Sequence, residues 1–289
     1  MLDLNIYKSN DDNAWCPGCG NFGILASLKE ALAELNLKPE DVVLVSGIGQ
    51  AAKTPHYIKA NGFNGLHGRA LPPAQAIKMV NNNLNVIVTS GDGDSYGEGG
   101  NHFIHCIRRN VDMVHLVHDN QIYGLTKGQG SPTTGKGHVT SMQFEGVYVE
   151  QMNPLAVAIS AGATFVARSF SADKEHLKSM IKAAINHKGY ALLDIMQPCV
   201  VFNKVNTFKW YKDRIYKLDD KYDPRNKFEA LKKVEEFGDE GIPIGIIYKE
   251  ESKDSYEKLH PVLKTGRNLI ERKWDVKTTE KLIDEFLFN

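Results

Sequence analysis

The chain has 289 residues, 42% hydrophobic and 24% charged, which suits a globular α/β protein that buries its core without disulfide staples. Lys+Arg and Asp+Glu both number 35, so no excess of charge points to nucleic acid or a membrane surface. The polar start "MLDLNIYKSNDDN" lacks an apolar signal core and no apolar run could span a bilayer, so a cytoplasmic protein without membrane segments is expected.

The first informative stretch is "NAWCPGCGNFG", residues 13–23, with Cys16 and Cys19 two residues apart. Such a pair suits a dithiol switch, half of a zinc site or part of an iron–sulfur site. Each thiol-based alternative meets an obstacle. A thioredoxin-like motif should follow a strand, a zinc module needs a second ligand pair, and a c-type haem site needs His where Gly20 stands. The chain then alternates. Helical patterns fall at Phe22–Leu37, Pro73–Asn82, Gly100–Arg109, Pro154–Gly162 and Asp173–His187, with Asp173 as N-cap of the last. Strand-like runs fall at Asp41–Ser46, Asn85–Ser90, Asp112–Asp119, Thr164–Ser169 and Tyr190–Met196. This alternation predicts a doubly wound, mostly parallel sheet with helices on both faces. The glycine-rich segment Tyr123–Gly137 breaks the rhythm and reads as a functional or mobile loop. From Thr207 to Asn289, 36 of 83 residues are charged. This part reads as an extension packed on the domain or on a partner, with short helices near Lys227–Phe237 and Thr279–Phe286 and "IPIGIIY" as an edge strand. The expected division is 14–206 and 207–289.

The second and third strands end in chemistry-bearing residues. Gly91-Asp92-Gly93 leaves one strand, and Asp119-Asn120 leaves the next, with 26 residues between Gly93 and Asn120. Ligands of open parallel sheets bind at the carboxyl ends of strands, and glycines there let backbone approach phosphate. A carboxylate facing phosphate calls for a cation, and Mg²⁺ takes a few protein oxygens in an octahedron. Asp92, the Asn120 side chain and the Ile122 carbonyl could supply them. A lone Gly-Asp-Gly is usually a turn, and a lone Asp-Asn an Asx-turn. Their pairing at consecutive strand ends is far more specific.

This pairing resembles the thiamine-diphosphate binding motif. A wider set of segments resembles the β subunits of 2-oxoacid:ferredoxin oxidoreductases: "WCPGCGNFG", "SGIGQAAKTPHY", "LHGRALP", "GDGDSYGEGGNHFIHCIRRN", "DNQIYGLTKGQGSPT" and "QPCVVFNKVNTFKWYK". The resemblance implies oxidative decarboxylation of a 2-oxoacid, 2-oxoglutarate or pyruvate, to acyl-CoA and CO₂. Electrons pass to ferredoxin, and the reaction is reversible. It implies that Asp92, Asn120 and Ile122 hold Mg²⁺, that Gly91, Gly93, Gly124, Leu125 and Thr126 shape the diphosphate pocket, and that Gly47, Ile48 and Gly49 wall it. His67 and Arg69 stand as catalytic candidates. Lys53, Arg69 and Lys127 are the candidates for a substrate carboxylate or a coenzyme A phosphate, and a distal cation would favour 2-oxoglutarate. The glutamate that activates the cofactor's aminopyrimidine matches no residue here; Glu98 and Glu145 qualify by type alone. A pyrimidine-binding α subunit is therefore expected to supply it.

The resemblance also implies a [4Fe–4S] cluster on Cys16, Cys19 and Cys199, with Gly18 and Gly20 leaving it room. Cys106 reads as a packing residue. At the family's fourth ligand position this chain has Gln50, a weak ligand for soft iron–sulfur sites. Three outcomes follow: a cluster with a non-cysteine or labile fourth site, a lost cluster, or a fourth ligand from a partner. The alternative function is a thiamine-diphosphate decarboxylase or synthase subunit without a cluster.

Overall fold

The computed structural model describes residues 1–288 apart from Trp274. All five apolar runs form strands: β1 (Val42–Ser46), β3 (Asn85–Gly91), β4 (Met113–Asp119), β5 (Phe165–Phe170) and β6 (Tyr190–Met196). Three more join them: β2 (Asn61–Asn64), β7 (Ile215–Lys217) and β8 (Ile242–Lys249). The eight lie in one sheet, ordered β2-β1-β3-β4-β6-β5-β8-β7. Every pair is parallel except β5 with β8.

Side chains alternate across the sheet, as strand geometry requires. Val43, Val45, Val86, Val88 and Val117 face one core, covered by α2 (Leu71–Val80), α3 (Gly100–Arg109), α4 (Pro154–Ser160) and α7 (Lys227–Glu235). Val42, Leu44, Ile87 and Leu116 face the other, covered by α1 (Asn21–Glu34) and α5 (Lys174–Asn186). Both faces of the inner strands are thus buried, which is why they read as unbroken apolar runs. Truncating one such side chain, Leu44→Ala for example, costs about 2–5 kcal/mol. Asp173 caps α5 as expected, accepting the His176 N–H at 3.2 Å.

The C-terminal part departs from the expectation stated above. "IPIGIIY" is not the edge. It lies in β8, between β5 and β7, and β7 takes the outer position. A third core of Phe170, Met196, Tyr211 and Ile242 packs with Phe208, Trp210 and Phe237 under these strands. The high charge of the segment hid this, because its charges lie on α6 (Phe208–Lys212), α7, α8 (Tyr256–Leu259), α9 (Val276–Phe288) and the turns. β2 and β7 escaped notice for the opposite reason. They are short edge strands with mostly exposed side chains and carry no burial signal. No described helix is long and apolar enough to cross a membrane.

Candidate active site

Parallel pairing puts the carboxyl ends of β1, β3 and β4 on one side. In register, Ser46 stands beside Thr89 and Gly91 beside His118. The residues that follow these strands therefore converge. They enclose a cavity of about 50 Å³ lined by Ile48, Gly49, His67, Gly91, Asp92, Gly93, Asn120, Ile122, Gly124, Leu125 and Thr126. Gln50, Ala51, Asp94 and Tyr123 complete the wall. Gly47 lies just behind it: a Cβ there would overlap the Asp94 carboxylate. A larger hollow of about 700 Å³, between Pro261 and Lys273, has mostly exposed walls and shares no residue with this cavity.

Asp92 is buried. Its Oδ2 accepts hydrogen bonds from Ser131 Oγ at 2.5 Å and Thr133 Oγ1 at 2.6 Å. Thr133 Oγ1 is also 2.9 Å from Asp119 Oδ1. One hydroxyl proton cannot serve two carboxylates at once. Burial pushes the Asp92 carboxyl above its ordinary value, and the two hydroxyls pull it partly back. Asp119 is pushed well above, by burial first and then by Asp194 and Asp92. A cation at Asp92 would relieve this crowding of negative charge. The donors suit Mg²⁺ in kind: a carboxylate, an amide oxygen and the carbonyl of Ile122. The Asn120 Oδ1 accepts the Ile122 N–H at 3.0 Å, so the Asx-turn and the candidate ligand are the same residue. That turn needs Gln121 at φ +57° and bends Ile122 back toward β3.

Glycine is demanded for two distinct reasons. At Gly93 a Cβ would run into the Tyr123 ring. At Gly49, φ is +130° and nothing lies within 4 Å of a Cβ, so the backbone there faces open space. Bare backbone beside a buried carboxylate is the arrangement that phosphate and its metal require.

The remaining candidates are placed unevenly. His67 lines the cavity. Arg69 and Lys127 are exposed, Lys53 is half-buried, and none of the three is among its lining residues. Glu98 and Glu145 are also exposed. The sequence reading missed Ser131, Thr133 and Asp94. The first two sit in "GSPTT", inside the long segment read as a loop, where their burial was invisible. Asp94 was hidden by its neighbour Asp92, which took the motif's role.

A second cleft, of about 30 Å³, lies behind the first. Cys16, Cys19, Cys199 and Gln50 line it, and Gln50, Asn120 and Gly124 belong to both walls. Trp15 ties it together, donating from Nε1 to the Gln50 carbonyl at 2.7 Å. Cys16 is exposed, so the cleft opens to solvent at that end. Burial pushes the Cys19 thiol up to about 11. The Asn21 backbone N–H and the Gln197 side chain oppose that rise, while Cys199 and Cys16 add to it. A free thiol there stays protonated, and a metal's charge would be needed to ionise it. Among the described residues no three His, Cys, Asp or Glu groups could hold one metal ion. Cluster ligands bind separate irons and stand farther apart than that. The Gln50 Oε1 is buried without a hydrogen-bond partner. Of the two glycines expected to leave room, one differs from expectation. Gly18 adopts φ +80°, but a Cβ at Gly20 would meet Ser171 Oγ at 2.8 Å and Gln197 Cγ at 2.9 Å. Gly20 thus lets α1 approach the ends of β5 and β6, and opens no room for a bulky group. Cys106 is fully buried against Met113, a packing residue.

Known proteins share this layout. Residues 43–195 match the family model "Thiamine pyrophosphate enzyme, C-terminal TPP binding domain". Residues 199–265 match the family model for the C-terminal part of the pyruvate ferredoxin oxidoreductase β chain. The β subunit of 2-oxoacid:ferredoxin oxidoreductase 1 from Aeropyrum pernix is 48% identical over 264 residues, 87% of this chain and 82% of that one. The chain belongs to the β subunits of the 2-oxoacid:ferredoxin oxidoreductases. The Saccharolobus solfataricus member of the family is also 48% identical, over 85% of each chain. A solved 2-oxoglutarate:ferredoxin oxidoreductase from Magnetococcus marinus, with 2-oxoglutarate, coenzyme A and succinyl-CoA bound, superposes with a TM-score of 0.90 at 32% identity. The superposition covers 98% of this chain and 96% of the other. The chain is therefore one subunit of a thiamine-diphosphate-dependent, multi-subunit oxidoreductase. Its α/β sheet is the family's fold.

Proposed function

We propose that this subunit anchors thiamine diphosphate through Mg²⁺ on Asp92, the Asn120 side chain and the Ile122 carbonyl. It holds an iron–sulfur cluster on Cys16, Cys19 and Cys199, in an enzyme that oxidatively decarboxylates a 2-oxoacid. The observation that carries this reading is one cavity at the ends of β1, β3 and β4, lined by every expected cofactor residue except Gly47. When bound there, the cofactor supplies the electron sink for decarboxylation.

The chain's own residues do the rest. Ser131 and Thr133 hold Asp92 in place and donate to its Oδ2, leaving its other oxygen for metal. Gly91, Gly93 and Gly124 present bare backbone to the diphosphate. Leu125 and Thr126 close the pocket's rim, and Ile48 and Gly49 form the facing wall. His67 reaches the cavity and is the residue able to exchange a proton there. Arg69, Lys53 and Lys127 stand outside it, as cations for the substrate's far carboxylate or for coenzyme A. The 2-oxoglutarate-bound relative at TM-score 0.90 supports that dicarboxylic acid as substrate. Three thiols of mixed exposure on one cleft suit a cluster in kind. Gln50 would be a weak donor to such a cluster. Bound there, the cluster would supply the one-electron exit toward ferredoxin. Coenzyme A takes the acyl group, and a pyrimidine-binding α subunit supplies the activating glutamate. The enzyme works in the cytoplasm.

Anaerobic co-expression with the partner subunit tests this. We expect thiamine-diphosphate- and Mg²⁺-dependent reduction of ferredoxin by 2-oxoglutarate, bound iron, and an EPR signal on reduction. Aldehyde release without iron or ferredoxin reduction would assign the chain instead to the cluster-free decarboxylases.

A further inference from the structure

One buried carboxylate beside the cofactor cavity has no part in the scheme above. Asp94 is 4% exposed and sits in the short π-helical segment Gly93–Glu98 between β3 and α3. Its Oδ1 accepts two backbone N–H groups from two separate loops, Gly68 at 2.7 Å and Ile48 at 3.1 Å. The first loop carries His67, and the second is the "SGIG" turn after β1. The packing is tight enough to dictate sequence. A Cβ on Gly47 would overlap the Asp94 carboxylate, and one on Gly68 would overlap the Glu98 backbone. Gly68 moreover holds φ +71°.

Two atoms in this knot lack partners. Asp94 Oδ2 and His67 Nδ1 are both buried without a hydrogen bond. His67 Nδ1 lies 3.7 Å from Asp94 Oδ1, beyond hydrogen-bond reach but within a small ring rotation of it. The imidazole is 36% exposed while the carboxylate is 2% exposed. The ring therefore turns its Nδ1 edge to Asp94 and leaves its other edge for the cavity. Catalytic hydrogen bonds are often long before a ligand draws a site together.

We propose that Asp94 is a positioning residue: it clamps the "SGIG" turn and the His67 loop at a fixed separation across the cofactor cavity, and it takes the Nδ1–H of His67 so that Nε2 faces the bound cofactor and substrate as an acceptor. This deepens the function proposed above and rests on it. Orientation and tautomer are set together, as in other carboxylate–imidazole pairs. Asp94 stands in the cavity wall with its Oδ1 taken by the two loop amides. It works through His67 and through the two loop amides.

The test uses the co-expressed, cofactor-loaded complex and three variants, Asp94→Asn, His67→Asn and the double. Asn keeps an oxygen for the two loop amides, so thiamine diphosphate affinity and the KM for 2-oxoacid should stay within about twofold of wild type. Asn carries no charge, and its one oxygen is already engaged by the two loop amides, so it holds the His67 Nδ1–H poorly and kcat should fall about 100-fold, as for His67→Asn. The double variant should be no worse than either single one, because the two residues act as a unit. Asp94→Ala, which removes the clamp as well, should also weaken cofactor binding. Should Asp94→Ala fail to fold, the Asn variant alone decides. Wild-type kcat in Asp94→Asn, or multiplicative losses in the double variant, would overturn the proposal. A complex whose wild type turns over without thiamine diphosphate would overturn the function reading beneath it, a distinguishable result.

Discussion

Two cavities share a wall at Gln50, Asn120 and Gly124, and they are built in different ways. The diphosphate cavity rests on backbone. Its groups leave adjacent parallel strands, its carboxylate is held by two hydroxyls, and two of its glycines, Gly93 and Gly49, are fixed by close approach and positive φ respectively. The cysteine cleft rests on side chains from three distant segments, around positions 16–19, 50 and 199, joined by a few contacts such as Trp15 to Gln50. A site of the first kind depends on the sheet and tolerates little change. A site of the second kind can change a side chain while the fold persists. Gly124 makes the wall thin: a Cβ there would lie 3.9 Å from Gln50 Cγ and 4.0 Å from Cys199 Sγ.

If that contrast holds, the largest effect belongs to Asp92. Asp92→Asn removes the charge that faces the metal and should lower kcat/KM by roughly 10³-fold, about 4 kcal/mol of transition-state stabilisation. Titration with Mg²⁺ and thiamine diphosphate should show the loss as one of binding, with iron content unchanged. A variant that lost iron as well would mean that the two cavities are not independent.

Cys199→Ser probes the other side. It should abolish bound iron and ferredoxin reduction while thiamine diphosphate still binds with near-native affinity. Its complement, Gln50→Cys, should raise iron retention in air, read as iron per subunit after aerobic dialysis. Equal iron loss from wild type and Gln50→Cys would remove Gln50 from the cluster's surroundings.

The smallest effect concerns a buried histidine within β4. His115 is fully buried, with Nδ1 2.7 Å from Tyr190 Oη and Nε2 within 3.0 Å of Ser90 and Ser95, on either side of Asp92 in the chain. Burial lowers it to about 3 from an ordinary 6.5. The unfolded chain takes up that proton below about pH 6.5, while the folded one resists until about pH 3. Stability is thus full above the higher value and falls as pH drops through this window. The loss from this group is about 2 kcal/mol at about pH 5. Urea midpoints at the two ends should differ accordingly, and His115→Gln should flatten the slope.

The same contrast governs how much could be read from the sequence. The convergence of Gly91-Asp92-Gly93 and Asn120 on one cavity was legible because consecutive strand ends put them at a fixed spacing. The inner strands were legible because burial on both faces leaves runs such as "VVLV". Ser131 and Thr133 were not, since a hydroxyl in a glycine-rich loop looks alike whether it faces solvent or a buried carboxylate. Asp94 was not, because its partners are backbone amides, which carry no sequence signature. The roles of Arg69, Lys53 and Lys127 also lay out of reach, since a surface cation declares its function only when its ligand or a neighbouring subunit is beside it. β8 was seen as a strand but put at the edge, because an antiparallel partner reached through a charged segment leaves no periodic mark.

That placement of β8 has a consequence for how the polypeptide can be divided. β8 pairs with β5 along Phe165–Arg168 and thereby satisfies a row of amides and carbonyls that would otherwise face water. A chain stopped before residue 207 would keep β5 paired with β6 on one side but leave its other edge, along Phe165–Arg168, as a bare template. Such an open border recruits strands from other molecules. The charged tail is therefore a selvedge: it finishes the weave of the sheet and keeps it from knitting onto its neighbours.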